Sequence, residues 1–316
     1  GWLGGLILLR IYLAIARLHP GKNYFQILTS LFGKWVGGGL GLLHIWYFLH
    51  LASLVSRNFG EFFITADYPD TPMVFIIVAI MVVLTFSLKK GIEVISRTSE
   101  MLVPLLILLA FLIFFLLIPQ YDLNNLQPVL ASRIESVLSR SFSVLTFPFG
   151  ELVVFLVIFP LLREEEHLFK TGYLAWLIGG ILLLLITVRD LLVLGPDMFA
   201  KTLFPPLYST RLMPFTSFFN IDPLISVDLL IGGGTKIIIL IFGVFTGLAN
   251  IFKLGENKAL ITPVAALVIS ISVWIYSNTM EMVQWAANIY PIYAIPFQII
   301  IPGLVLLFSL LRPARS

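Results

Sequence analysis

Four consecutive residues, Pro148-Phe149-Gly150-Glu151, interrupt the apolar stretch LTFPFGELVVFLVIF, which runs from Leu145 to Phe159. Proline removes a backbone donor and clashes with the preceding turn, and glycine loosens the chain. A carboxylate in hydrocarbon is costly unless it is neutral, partnered or hydrated. Together they predict a helix broken at mid-membrane, whose freed backbone groups are tolerated only where protein or a water-filled cavity satisfies them. The N–H groups that open the second half of such a helix favour negative charge, so the break suits a ligand carboxylate. A fixed carboxylate would compete with that ligand. Glu151 is therefore read as a neutral acid, as a partner for a ligand ammonium, or as half of a pair with another part of the chain. The competing reading is an acid that only stabilises the kink. Pro148 and Phe149 would shape the cavity.

Other candidates are more scattered. Lys236, in GGGTKIIIL, lies inside an apolar span. It either snorkels towards the helix end, pairs with an acid such as Glu151, or replaces a coupling cation. Tyr47 and Leu51 are four apart and share a helical face, where the hydroxyl would bond a carboxylate or simply pack. His44 and His50 are six apart and do not share a face well. Without cysteines or an H-E-x-x-H pattern they make a poor zinc site, and helix packing is the better reading. Arg189 and Asp190, adjacent in an apolar span, point about 100° apart on a helix and are not automatically a pair. No phosphate-binding loop, dinucleotide fingerprint or nucleophile elbow is present, so the sequence supports no catalytic residue, metal ligand or cofactor.

The elements that must position these residues are membrane helices. Of 316 residues, 59% are hydrophobic and only 12% charged, and the mean hydropathy is +1.01. Soluble domains carry about a quarter charged residues, so a polytopic α-helical membrane protein is the class that fits. The net charge of +3 gives no reason to expect nucleic acid. A span needs about 20 mostly apolar residues. Nine segments qualify, near 2–18, 36–58, 72–88, 101–119, 142–161, 172–194, 226–252, 259–277 and 289–311. The clustered glycines Gly37 to Gly39 with Gly41, and Gly232 to Gly234, are read as close-packing positions.

Alternate loops hold twelve Lys and Arg, from Arg17, Lys22 and Lys34 through to Arg312 and Arg315, and the intervening loops hold five. This bias predicts a cytoplasmic C-terminus, which with nine spans leaves Gly1 outside and leads us to expect a tenth helix before it. The run Arg163 to His167 reads as a solvated cytoplasmic turn. If the broken helix opens a repeat, five spans follow from it and four precede it. Long connections at 19–35 and 195–225 then fall at equivalent places, each with room for a short surface helix. The expected architecture is one transmembrane domain, 1–316, of the LeuT-type five-plus-five inverted repeat lacking its first helix. Its repeats are 1–119 and 142–316.

Five short patterns occur in register along these segments: Arg57-Asn58-Phe59-Gly60-Glu61-Phe62, Gly91-Ile92-Glu93-Val94-Ile95-Ser96-Arg97, Phe147-Pro148-Phe149-Gly150-Glu151, Leu194-Gly195-Pro196-Asp197 and Ile295-Pro296-Phe297-Gln298. In that order the chain resembles the B subunit of bacterial spore germinant receptors, the GerB-type spore germination permeases of the amino acid/polyamine/organocation superfamily. The resemblance implies a ten-helix protein of the spore inner membrane that works with A-type and C-type subunits. It would sense a small nutrient, commonly an amino acid, and trigger germination. It also implies that the helix carrying Tyr47 and Leu51 lines the ligand cavity, together with Pro148, Phe149, Gly150 and Glu151. The fold adds Gly233, Lys236 and Ile237 to the ligand-facing set. The chain departs from the family in having Asn220-Ile221 before Asp222, where Arg-Leu is frequent, and in lacking an aromatic residue around Asp228 to Leu230. The alternative function is a proton-coupled secondary transporter of amino acids or related amines, coupled through Glu151 or Lys236.

Overall fold

The computed structural model describes residues 1–127, 133–162, 167–213, 221–255 and 258–311. Arg163 to Glu166, Asn220, Arg312 and Arg315 lie outside them. Among the described residues every regular element is helical. They are α1 (Trp2–Leu18), α2 (Tyr24–Ala66), α3 (Met73–Lys90), α4 (Ile92–Leu116), α5 (Ile134–Thr146), α6 (Leu168–Lys201), α7 (Pro205–Arg211), α8 (Asp222–Phe252), α9 (Ile261–Trp274) and α10 (Thr279–Leu311), with short 3₁₀ turns between. Seven helical stretches are long and apolar enough to cross a membrane, as fits a multi-pass membrane protein. Two of the nine expected spans form shorter helices, 17 residues in α1 and 14 in α9.

Local sequence explains where helices start and stop. Asn23 and Gln26 cap α2 reciprocally, each side chain accepting from the other's backbone N–H, at 3.1 and 2.9 Å. Asn278 caps α10 by accepting from Glu281 N–H at 2.9 Å, while Glu281 accepts from Ser277 N–H at 2.7 Å. Lys89 and Lys90 close α3 before Gly91, where cations suit the helix C-terminus.

Two long helices are bent at glycine. Gly33 in α2 has φ 77°, ψ 175°, and Gly195 in α6 has φ 70°, ψ 166°. Only glycine occupies that region without a penalty of roughly 1–3 kcal/mol. Each kink borders one of the long connections, so a short helix precedes Gly33 and α7 follows Gly195. Substituting either glycine by alanine is expected to lower the thermal midpoint of the detergent-solubilised protein by several degrees. A midpoint unchanged in both variants would contradict the assigned backbone constraint.

The chain divides into two compact units, 1–54 with 132–177 and 239–316, and 55–131 with 178–238. In the first, Leu9, Leu13 and Leu168 form a buried cluster against Leu152, Phe159 and Trp176. His19, just after α1, also belongs to this unit, with Nε2 2.8 Å from Ser309 Oγ. Ser309 gives its proton to the Val305 carbonyl, so His19 Nε2 is the donor in this pair. Burial, and then Lys22, lower its pKa from the ordinary 6.5. A histidine kept neutral by folding contributes stability that is complete above pH 6.5 and is lost as pH falls below it. The midpoint of the parent should therefore drop on acidification from pH 7 to 5, and His19→Gln should flatten that dependence.

The core of the second unit is Phe62, Phe63, Ile113, Leu117 and Leu207 with Ile225. Its buried charges are paired. Arg57 Nη2 lies 2.8 Å from Glu61 Oε1, one helical turn on. Arg189 Nε donates to Asp190 Oδ1 at 2.8 Å, and Ser209 donates to the same oxygen. The long guanidinium arm curls back across the 100° step between neighbours, which periodicity alone does not foresee.

Candidate functional site

Helix α5 ends at Thr146, where Phe147 turns extended (φ −131°, ψ 115°), and a 3₁₀ stretch, Phe149–Val157, carries the chain on. The Phe147–Pro148 peptide is cis. The helix thus breaks where Pro148 and Gly150 interrupt the apolar run, and Glu151 lies in the first turn after the break, buried.

Glu151 belongs to a directed hydrogen-bond chain within the first unit. Gln298 Nε2 donates to the Thr146 carbonyl at 3.0 Å and to Tyr47 Oη at 2.7 Å. A carbonyl only accepts, so the amide nitrogen must face Thr146 and Tyr47. Tyr47, having accepted, has its one proton to give to Tyr290, Oη to Oη 3.1 Å. Tyr290 in turn donates to Glu151 Oε1 at 2.5 Å. The Thr146 carbonyl, freed by the helix end, therefore sets the polarity of the whole chain. From Gln298 through Tyr47 and Tyr290 each link points its proton towards Glu151, as donors to a carboxylate do.

The break is also clamped from α1. Tyr12 Oη lies 3.0 Å from the Gly150 carbonyl and 2.7 Å from that of Gln298, sharing one proton between two segments. Gln298 Oε1 is buried without a hydrogen-bond partner among the described residues and points at Gly150. Tyr47 stacks on Phe297 with ring centroids 4.6 Å apart. His44 is fully engaged elsewhere, with Nδ1 3.0 Å from Leu40 O and Nε2 3.2 Å from both Tyr24 Oη and Phe297 O.

Of the residues singled out from sequence, Tyr47 and Glu151 come together through Tyr290, with Gly150 and its carbonyl alongside. Leu51 is buried and Pro148 half-buried in the same unit, and Phe149 packs against Gly5 of α1. Gly233, Lys236 and Ile237 belong to the second unit, where Gly233 sits against the Phe59 ring and Ile237 is fully buried. Sequence reasoning missed Tyr12, Thr146, Tyr290 and the role of Gln298. The available signal was Pro291 and Pro296, five apart in one apolar span. Each lacks an N–H, and α10 widens into π turns at Trp285–Ile289 and Pro296–Ile300. Residues eight apart on a regular α-helix diverge by about 80°. The extra residue of the second π turn reduces that angle and brings Gln298 Nε2 within 3.4 Å of Tyr290 Oη.

Tyr290→Phe should leave one Glu151 oxygen without its donor and Tyr47 without its acceptor. Unmade buried bonds of this kind cost roughly 1–3 kcal/mol each. The thermal midpoint should fall, and a change no larger than that of Tyr293→Phe would contradict the chain as drawn.

The chain is similar to known proteins. Residues 1–281 match the family model described as spore germination protein. The chain is 30% identical to spore germination protein KB of Bacillus subtilis (strain 168), over 98% of this chain and 85% of that protein. It is 27% identical to spore germination protein A2 of the same organism, over 58% of this chain and 52% of that one. Spore germination protein XB of Bacillus anthracis is 21% identical, over 76% of this chain and 69% of its own.

Proposed function

Because the chain belongs to the spore germination protein family, we propose that it is the membrane subunit of a germinant receptor, sensing a small nutrient, in particular an amino acid. It acts with A-type and C-type subunits in the spore inner membrane, its C-terminus on the cytoplasmic side. The observation that carries the reading is the buried carboxylate of Glu151 at a helix break, with a directed chain of hydroxyl and amide donors pointing at it. Such a carboxylate is built to hold an ammonium. The backbone around Gly150 and the hydroxyl of Tyr47 would meet the other end of an amino acid, and Leu51, Pro148 and Phe149 would supply the apolar wall.

The fold we propose is the LeuT-type inverted repeat, with the first repeat within 1–119 and the second within 142–316. The matching backbone at Gly33 and Gly195, each beside a long connection, supports it. Sensing then requires only that the ligand bind two arrangements of the repeats with different affinity. A two-hundred-fold difference, about 3 kcal/mol, is enough to move a mostly resting population to a mostly active one.

Reconstitution of the full-length protein in liposomes tests this against transport. The sensing reading expects no concentrative uptake of labelled amino acids with or without a proton gradient. Robust gradient-driven uptake would replace it with a secondary transporter.

A further inference from the structure

The largest cavity among the prominent ones of the described residues is not at Glu151 but beside it. It has a volume of about 460 Å³ and lies in the first unit between α5 and the start of α10. Helix α5 lines one side of this open cavity with Glu135, Ser136, Ser139, Arg140 and Ser143, alongside Phe142, and α10 borders the other side from 287 to 292. Ser136, Ser139, Arg140 and Ser143 are spaced three, four and seven apart and so share a helical face. Yet α5 and the 3₁₀ stretch after it form one of the segments apolar enough to span a membrane. Two charges and three hydroxyls along a spanning helix are untenable against lipid and must face water or protein.

Neither Glu135 nor Arg140 has a hydrogen bond or ion pair among the described residues, and both are exposed. Their charges are uncommitted. The inner end of the cavity adjoins the directed chain from both sides. The Ser143 carbonyl accepts from Thr146 Oγ1 at 3.0 Å, one turn before the break, and Pro291 follows Tyr290 directly.

We propose that this cavity is a water-filled vestibule that captures a small zwitterion, its carboxylate towards Arg140 and its ammonium towards Glu135, before it passes to Glu151. The volume suits this: pockets for small organic molecules run to several hundred Å³, which leaves room for an amino acid with part of its hydration shell. A cation and an anion five residues apart on one helix offer separate poles to a dipolar solute. Serine hydroxyls between them replace water without binding tightly, as a staging position requires. The ligand class rests on the function proposed above; the vestibule itself does not.

The 316 residues hold no cysteine, so thiols introduced among them can be read directly on the full-length protein in unsealed membranes, with any cysteine elsewhere replaced by serine. Ser139→Cys, Ser143→Cys and, on the opposite face of α5, Leu138→Cys are treated with membrane-impermeant methanethiosulfonates, one cationic and one anionic. The vestibule predicts that both serine positions react about tenfold or more faster than Leu138→Cys, since thiolate formation needs water. Equal, slow labelling at all three would show that lipid or protein covers this face and would overturn the proposal. Charge selectivity tests the capture step. At Ser143→Cys, adding Arg140→Gln should lower the anionic-to-cationic rate ratio by about threefold or more, and adding Glu135→Gln should raise it, through the local potential of each side chain. A ratio unmoved by both substitutions would remove the zwitterion from the proposal's terms and defeat it. Labelling reads the vestibule with no nutrient present. Fast labelling with concentrative uptake in liposomes would therefore refute the sensor and keep the vestibule, and slow labelling with an intact germinant response would do the reverse.

Discussion

Spores carrying Glu151→Gln are expected to need at least about tenfold more nutrient for a half-maximal germination response, with the protein present at parental abundance in the membrane. The amide is nearly isosteric and its oxygen still accepts from Tyr290, so the link drawn at 2.5 Å is retained. What the substitution removes is charge. A hydrogen bond to a charged group contributes about 1.5–3 kcal/mol, and each 1.4 kcal/mol is a factor of ten in affinity. A ligand ammonium bound to a carboxylate therefore loses roughly ten- to a hundredfold on neutralisation. The directed chain makes the experiment decisive, because Tyr290 donates to Glu151 in either variant and cannot compensate. Dose–response curves against the nutrient that germinates the parent spores, with immunoblots of spore membranes, give the answer. Coincident curves at equal abundance would show that a neutral group suffices at this position and would sink the ammonium-binding role.

The break itself was legible because its cause is local. Proline, glycine and a carboxylate in four positions of an apolar run violate a helix in ways that need no tertiary context. Membrane helices are equally local, since twenty apolar residues in sequence are enough. Arg57 and Glu61, a turn apart, could likewise be read as a pair. The groups gathered around the break could not, because they come from α1, α2 and α10, and the bond from Tyr12 to the Gln298 carbonyl spans 286 residues. Periodicity assigns faces within a helix but not which helices meet. In α10 it fails even within the helix, because the π turns shift the face after Trp285 and again after Pro296. The kinks at Gly33 and Gly195 fall between these cases. The long connections beside them were visible, but the backbone geometry that fixes the turn was not, since glycine in a membrane helix serves packing as readily as bending. Lys236 and Gly233 are joined to the Glu151 set by fold analogy rather than by a local pattern, and they lie in the other compact unit.

The largest effect on stability is expected at Gly150, and it should be conditional on Gln298. A methyl group at position 150 would run into Oε1 and Cδ of Gln298. A flexible side chain at a surface would swing away. Gln298 is fully buried, and its amide nitrogen is held by Tyr47 and the Thr146 carbonyl, so it can leave only by giving up those bonds. Overpacking of this kind costs about 1–3 kcal/mol, and each buried group left unpaired adds roughly 1–3 more. At about 2–4 °C per kcal/mol for chains of 150–250 residues, Gly150→Ala should lower the thermal midpoint in detergent by 10 °C or so. Gln298→Ala is also destabilising, because it strips Tyr47 and Thr146 of their donor. The double variant, however, has no clash left to relieve, since the methyl group enters the space that the glutamine vacated. Its midpoint should therefore lie well above the sum of the two single losses, with a coupling of at least about 1 kcal/mol in a double-mutant cycle. Additive losses would mean that Gly150 is required for some reason other than the approach of Gln298. A positive coupling would identify the contact between the break and α10 as the one that holds the hydrogen-bond chain in its direction, because the Thr146 carbonyl can orient Gln298 only while Gly150 lets the side chain lie against the break.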